Sequence, residues 1–441
     1  MGKIYENDRL YSMLRYYVDY CIRTSYRETT VCGQENIPED GAVIIAPNHC
    51  NTLMDALVVL RARSGATVFG ARADLFRKYG KPLTFCRIVP MVRKRDGIRE
   101  VAKNIETNEK VVEVLENDIP FCIFSEGTHR PKHSLLPITK GIARIALSAN
   151  EKFGERKAVY IVPAGIEYGD YFRFRSTSLL QYGKPINVTE FVKAHPDWSE
   201  AQLQMELRRM ISENISKLIT YIPDDEKYDS KWTLARILAC GRKGNLRRKL
   251  QANKDAIKRI EQLWESEPEK MESLSRKALE FEKHRLAEGV SMLSFESRPL
   301  WLALIWKSLA FVAGLPLFFH FALTCLPTWL FSEGLNTKVK DKAFHNTVHF
   351  ASKVIFTPLV TLLWAIVYFC TIPGAVAHSS LGFLCPALGW IIPLALSISV
   401  FFGQNFIYDF AEFSRIWLSD WKLAFKKKLR REFKEIRDAM K

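Results

Sequence analysis

Short apolar runs alternate with longer amphipathic stretches between residues 31 and 197. Runs rich in Val, Ile and Ala predict strands, and stretches with apolar residues at helical spacing predict helices. The strands are predicted at 41–47, 66–71, 87–92, 119–125 and 158–166, with a last edge strand near 179–185, and the helices at about 52–63, 73–79, 97–116 and 140–152. This alternation predicts an α/β fold, in which a mostly parallel sheet is flanked by helices.

The segments on either side of this domain are helical in pattern. Within the N-terminal segment 1–30, residues 9–23 predict an amphipathic helix, which suits either packing on the domain or lying on a membrane surface. Residues 198–298 are rich in Glu, Lys, Arg and Leu and predict a charged helical region, with helices at 199–221, 231–240 and 246–284. No chemical constellation stands out there, so we interpret this region as packing against the α/β domain and the bilayer.

Residues 299–403 carry three long apolar stretches. About 20 apolar residues suffice to cross a bilayer, so 354–376 and 381–403 are predicted spans. The first stretch, 299–331, is long for one straight span and contains Gly314-Leu315-Pro316 near its centre. We therefore expect it to form a re-entrant hairpin that turns at this tripeptide.

The distribution of basic residues predicts the sidedness of these helices. Lysines occur in the loop 332–353 and are dense in the tail 404–441, whereas the turn 374–380 carries no Lys or Arg. Basic segments tend to stay on the cytoplasmic side. We expect the α/β domain and the tail on that side, with the tail as a basic amphipathic helix against anionic lipid.

Composition narrows the classes of partner. The formal net charge is +16, and the sequence pI is about 9.3. Such an excess suits anionic lipid, an acidic carrier or nucleic acid, but no zinc-finger spacing, aromatic-rich sheet signature or basic zipper supports nucleic acid. Nine scattered cysteines are typical of reduced thiols rather than a disulfide framework.

A histidine and an aspartate follow the first predicted strand of the sheet. His49 lies in the turn, and Asp55 lies about one turn into the helix that we expect to begin at Thr52 with Asn51 as its N-cap. A carboxylate that holds one ring nitrogen fixes the tautomer and leaves the other nitrogen to accept a proton. The pattern therefore predicts a general base that activates a hydroxyl.

A second polar block, Phe124 to Arg130, follows a later strand. Gly127 lets the backbone approach a ligand closely, Thr128 adds a hydroxyl donor, and Arg130 or His129 suits a phosphate. Arg93 begins a basic cluster, Arg93-Lys94-Arg95, after the third strand and is a candidate phosphate clamp.

Four ordered blocks resemble those of the glycerolipid acyltransferase family, which contains the glycerol-3-phosphate and 1-acylglycerol-3-phosphate acyltransferases. The blocks are Asn48-His49 with Asp55, Ile88 to Arg93, Phe124 to Arg130, and the Val-Pro strand Ile161 to Ile166, and Thr139-Lys140-Gly141 resembles a segment common after the third block. The match covers about residues 40–190. It departs from the family pattern in four ways: five residues separate His49 from Asp55 instead of four, Arg87 stands where the second block often has glycine, Ser125 replaces proline, and His129 stands where arginine is usual.

The resemblance implies an O-acyltransferase. His49, oriented by Asp55, would deprotonate an acceptor hydroxyl, which attacks the thioester of acyl-CoA or an acyl carrier protein as co-substrate, without a metal or other cofactor. The substrate-binding set would be Arg93, Glu126, Gly127, Thr128, Arg130 and Lys140.

Several acceptors fit this interpretation. The commonest form of the family acylates 1-acylglycerol 3-phosphate to phosphatidate, and we favour it. The longer His–Asp spacing resembles that of fungal-type enzymes that acylate glycerol 3-phosphate or dihydroxyacetone phosphate. Another lipid acceptor, or a membrane lipid-binding protein without turnover, is a further alternative.

Overall fold

Strands and helices alternate through the first half of the chain, and helices make up the second half. The structure is a computed structural model that describes residues 9–63, 65–92, 103–241, 244–296, 299–380, 383 and 385–441. The strands are β1 Glu28–Cys32, β2 Ala42–Pro47, β3 Val68–Arg72, β4 Ile88–Met91, β5 Phe121–Cys122, β6 Val159–Tyr168, β7 Thr177–Tyr182 and β8 Ile186–Asn187.

The helices of the α/β domain are α1 Arg9–Ser25, α2 Thr52–Arg61, α3 Ala73–Phe85, α4 Lys103–Glu116, α5 Lys140–Phe153 and α6 Val188–Lys193. Those of the charged region are α7 Glu200–Ser216, α8 Tyr228–Ala239, α9 Leu246–Ser266 and α10 Pro268–Ala287. The apolar helices and the tail are α11 Leu300–Asn336, α12 His345–Ala377, α13 Leu388–Gly403, α14 Phe406–Phe425 and α15 Lys427–Ala439.

One mostly parallel sheet organises the α/β domain. Its strand order is β1-β7-β6-β2-β5-β3-β4, and β8 pairs with β6. The β6–β7 and β6–β8 pairs are antiparallel, and the other pairs are parallel. The predicted α/β class is therefore confirmed, and β2 and β5 lie side by side at the centre of the sheet.

Each face of the sheet is covered by helices. Because side chains alternate along a strand, Ile44 of β2 enters one core and Ile45 enters the other. The first core receives Ile142 of α5, whereas the second receives Ile22 of α1 and Met54 of α2. The second core packs α1 and α2 directly beneath the turn that follows β2.

Most of the predicted elements are present, with shifted boundaries. The strand expected at 119–125 pairs only at Phe121–Cys122, and β1 was not predicted. The helix expected at 73–79 continues to Phe85 past a kink at Tyr79. The single helix expected at 246–284 is wrong, because Glu267 leaves the helical conformation and Pro268 begins a new helix, α10.

The hairpin predicted at Gly314-Leu315-Pro316 is also wrong, because α11 is one continuous helix of 37 residues. Pro316 removes one backbone donor but does not end the helix, which also continues through Pro327. Gly314 allows close packing instead of a turn, since a Cβ there would lie 2.7 Å from the Phe410 ring of α14. Phe318 also stacks on Phe410, with ring centroids 4.8 Å apart.

Both ends of α11 contact the rest of the protein. Near its start, Lys307 pairs with Asp420 of α14. At its end, Asn336 hydrogen-bonds His349 of α12, and the residues that follow reach the α/β domain. At 1.5 Å per residue the helix is about 54 Å long, so it connects two distant parts of one body.

Within the described residues, two helices, α11 and α12, are long and apolar enough to cross a membrane, and the bent pair α13–α14 makes a third span if it counts as one. The span predicted at 354–376 lies within α12. The span predicted at 381–403 is represented by α13, since residues 381, 382 and 384 lie outside the described residues. The tail predicted as one helix forms two, α14 and α15, which meet at Lys426.

We expect Lys307→Ala to destabilise the protein by about 3–5 kcal/mol, because Asp420 is fully buried and would lose its cation. Chemical unfolding in detergent measures this. Lys307→Ala combined with Asp420→Ala should recover most of the loss, since it removes the unpaired charge as well. A single variant as stable as the wild type would contradict the role given to this ion pair.

Candidate active site

The two motif-bearing turns meet at one edge of the sheet. β2 and β5 are neighbouring parallel strands, so their carboxyl ends point the same way. His49 follows β2, and residues 124–130 follow β5. Two backbone contacts join the turns: the His49 N–H donates to Glu126, and the Arg130 N–H donates to the His49 carbonyl.

His49 and Asp55 form a close pair. The distance from Nδ1 of His49 to Oδ2 of Asp55 is 2.7 Å. The same oxygen accepts the backbone N–H groups of Cys50 and Asn51, at 2.8 and 2.7 Å. The other oxygen accepts the hydroxyl of Tyr168 at 2.7 Å. A fully buried carboxylate with these donors holds the imidazole with its proton on Nδ1.

The extra residue between His49 and Asp55 is accommodated in the turn before α2. Thr52 has φ +46°, a left-handed conformation that is uncommon outside glycine. α2 begins at Thr52 as predicted, but the Asn51 side chain does not cap it. Asp55 reaches back from α2 and accepts the N–H groups of Cys50 and Asn51, which precede the helix, so the longer spacing still brings it to His49.

The His49 ring presents one nitrogen to solvent. Phe124 stacks against the ring with centroids 4.4 Å apart, and the side chain is 18% exposed. Among the described residues, Nε2 has no hydrogen-bond partner. The lone pair of Nε2 is therefore available to a substrate proton.

Two neighbours are unsuited to act as nucleophiles. Burial, followed by the charge of Asp55, raises the pKa of the Cys50 thiol well above its usual value. The same two causes raise the pKa of Tyr168. Its hydroxyl therefore keeps its proton and donates a hydrogen bond to Asp55. A thiolate at Cys50 is thus disfavoured, and His49 is the basic group of this turn.

Glu126 is built into the scaffold of the site. One carboxylate oxygen accepts the His49 N–H at 2.7 Å, and the other accepts the Leu136 N–H at 2.8 Å. Burial raises the pKa of Glu126, although these two donors oppose the rise. Gly127, with φ +72°, makes the adjoining bend, where a Cβ would meet Thr139 at 3.2 Å.

The other predicted substrate-binding residues are placed differently. Arg130 points to Asp224 and Ser134, so its guanidinium already holds an acidic partner. Thr128 is exposed beside the site, and Lys140 is the exposed first residue of α5. Arg93 lies outside the described residues.

Sequence reasoning missed a second histidine–aspartate pair. Nε2 of His129 lies 2.8 Å from Oδ2 of Asp341, in the segment between α11 and α12. The His129 ring is edge-on to His49, with centroids 5.7 Å apart, and edge-on to Phe344 at 5.5 Å. Tyr168 was missed as well. No local pattern marks Asp341, because it stands among lysines 212 residues beyond His129.

Comparison with known proteins agrees with this geometry. Residues 28–167 match the family model named Acyltransferase. The resemblance to the glycerolipid acyltransferases is therefore confirmed for this part of the chain, which is similar to the acyltransferase domains.

Two similar proteins are named glycerol-3-phosphate O-acyltransferases. Glycerol-3-phosphate O-acyltransferase 2 of Saccharomyces cerevisiae is 32% identical over 126 residues, which are 28% of this chain and 17% of that protein. Glycerol-3-phosphate O-acyltransferase 1 of the same yeast is 28% identical over 130 residues, 29% of this chain and 17% of that protein. The matched part thus spans about a sixth of the length of these relatives.

A solved structure is also similar. The 1-acyl-sn-glycerophosphate (LPA) acyltransferase PlsC from Thermotoga maritima is 20% identical, with a TM-score of 0.33. The match covers 48% of this chain and 81% of that chain.

Glu126→Gln should destabilise the protein by about 1–3 kcal/mol, because glutamine has one acceptor oxygen for two buried N–H groups. Thermal or chemical unfolding without substrate measures this. Glu106→Gln, at an exposed carboxylate paired with Lys110, is the matched control and should change stability by less than about 0.5 kcal/mol. Equal losses in the two variants would contradict the scaffold role of Glu126.

Proposed function

We propose that the protein is an O-acyltransferase that moves a fatty acyl group from a thioester to a hydroxyl of a glycerolipid precursor. The observation that carries this proposal is the His49–Asp55 pair, whose Nε2 is open to solvent beside the second motif block. The acyltransferase family match over residues 28–167 supports it.

In the proposed reaction, Nε2 of His49 takes the proton of the acceptor hydroxyl as its oxygen attacks the thioester carbonyl. The carbon–oxygen bond forms, and the carbonyl becomes a tetrahedral oxyanion. When that intermediate collapses, the carbon–sulfur bond breaks and the thiolate recovers the proton from Nε2. Asp55 stays ionised and keeps the ring in the productive tautomer.

The acyl donor in this proposal is acyl-CoA or an acyl carrier protein, and both are acidic. The net charge of +16 favours either one, as well as a phosphorylated glycerol acceptor. We keep Arg93, Thr128, Arg130 and Lys140 as proposed cations and donors for the phosphate. Arg130 would have to exchange its contact with Asp224 for the ligand.

Two acceptors have separate support. A membrane-resident acceptor such as 1-acylglycerol 3-phosphate is favoured by the apolar helix α12, because its residue Thr347 lies 2.9 Å from Thr52 in the catalytic turn. Glycerol 3-phosphate is favoured by the names of the yeast relatives.

We also propose that the catalytic domain and the tail lie on one side of the membrane, the cytoplasmic side. Charged contacts between the α/β domain and α14 support this arrangement: Arg175 binds Asp409, and Arg173 binds Glu412. The segment between α11 and α12 also touches the α/β domain. These contacts support a common side for all of these elements.

We expect His49→Ala to lower acyl transfer by about 10²–10⁴-fold, the usual contribution of a general base, with the fold retained. Purified protein in detergent, a labelled acyl-CoA and the two acceptors measure this, with products resolved by mass. His284→Ala is the matched control, since His284 also pairs with a carboxylate, Glu432, but lies exposed in the charged helical region. Full transfer by folded His49→Ala would contradict the base.

A further inference from the structure

The segment between the two long apolar helices lies on the catalytic turn. This segment, residues 337–344, is called the connector below. Its Ala343 carbonyl accepts the hydroxyl of Thr52 at 3.2 Å, and Asp341 and Phe344 contact His129. The connector therefore contacts both motif blocks. It contacts Thr52 in the first block and His129 in the second.

Asp341 determines which nitrogen of His129 carries a proton. A carboxylate can only accept, so Nε2 of His129 must donate to it across the 2.8 Å contact. In the neutral ring Nδ1 is then an acceptor. Asp341 is itself fixed, because its other oxygen accepts the Ala343 N–H at 2.9 Å. Desolvation opposes ionisation of Asp341, but that N–H and the His129 ring lower its pKa below the usual range.

The site thus contains two histidine–aspartate pairs of opposite tautomer. In the His49–Asp55 pair the proton is on Nδ1 and Nε2 is open. In the His129–Asp341 pair the proton is on Nε2 and Nδ1 is left to accept. The two rings are edge-on with centroids 5.7 Å apart, so the His129 ring lies directly beside the ring of the proposed base.

We propose that His129, held by Asp341 of the connector, accepts a hydrogen bond from a second, non-reacting hydroxyl of the acyl acceptor. The inference rests on the proposed acyl transfer and narrows its acceptor to phosphorylated polyols with two free hydroxyls, such as glycerol 3-phosphate. Asp341 is a positioning residue that acts through His129. An acceptor with one hydroxyl, such as 1-acylglycerol 3-phosphate, cannot use this contact.

The first test determines the tautomer of the His129 ring and does not depend on enzymatic activity. Nitrogen-15 NMR of histidine-labelled protein, with His129→Ala to assign the signal, reports the protonation of each ring nitrogen. We expect His129 to have a protonated Nε2 and an unprotonated Nδ1, and Asp341→Ala to give a mixture of tautomers. A protonated Nδ1 in the wild type, or an unchanged signal in Asp341→Ala, would overturn the proposal.

The second test measures selectivity for the hydroxyl. Acyl transfer to glycerol 3-phosphate is compared with transfer to propane-1,3-diol phosphate and to propane-1,2-diol 1-phosphate, which each lack one hydroxyl. We expect the wild type to prefer glycerol 3-phosphate by about tenfold in kcat/KM over the better analogue, the effect of one hydrogen bond. Asp341→Ala and His129→Ala should each reduce this preference to about twofold or less.

Two further variants separate positioning from a general defect. The double variant Asp341→Ala with His129→Ala should be no less selective than His129→Ala alone. Both substitutions remove the same contact to the acceptor hydroxyl, so their effects should not add. Glu116→Ala, at an exposed carboxylate paired with Lys152, should keep the full preference. If the two substitutions lowered the preference for glycerol 3-phosphate additively, Asp341 would not act through His129.

The outcomes distinguish this proposal from the function on which it rests. Wild-type transfer to 1-acylglycerol 3-phosphate at more than about tenfold the kcat/KM of glycerol 3-phosphate would overturn the two-hydroxyl acceptor and leave the acyltransferase intact. No transfer to any acceptor would overturn the proposed function, while the NMR result would still decide whether Asp341 sets the tautomer of His129.

Discussion

The catalytic edge of this protein depends on one buried carboxylate. Asp55 is completely shielded from solvent, so its charge must be neutralised locally. Two backbone N–H groups, a histidine ring and a tyrosine hydroxyl provide that neutralisation. Asp55 belongs to α2, and its donors come from the turn after β2 and from the end of β6, so the same charge also fixes the positions of three elements. The arrangement of His49 follows from the need to satisfy Asp55.

The sequence allowed the α/β sheet and the first histidine–aspartate pair to be predicted for the same reason. Both depend on local order: apolar runs of strand length, and a histidine and an aspartate one turn apart on the same segment. Thr52 shows how far local reasoning reaches, since the added residue was expected in the turn and is accommodated there by a left-handed backbone.

Local sequence patterns did not predict the contacts between segments that are far apart along the chain. Gly314 and Pro316 suggested a turn, but Gly314 makes room for Phe410, which is 96 residues away along the chain and belongs to α14. Arg130 was predicted to bind a phosphate, but its guanidinium is hydrogen-bonded to the carboxylate of Asp224. The contact of Asp341 with His129 links segments whose sequences say nothing about one another. In each case the outcome was decided by a partner that only the folded chain brings close.

The length of α11 and the attachment of both its ends constrain how the protein can meet a membrane. A helix of about 54 Å is longer than the roughly 30 Å hydrocarbon core, and both of its ends are attached to the same body. Such a helix cannot cross a bilayer while that body stays on one side. Its length would instead fix the distance between the two parts of the body that it connects.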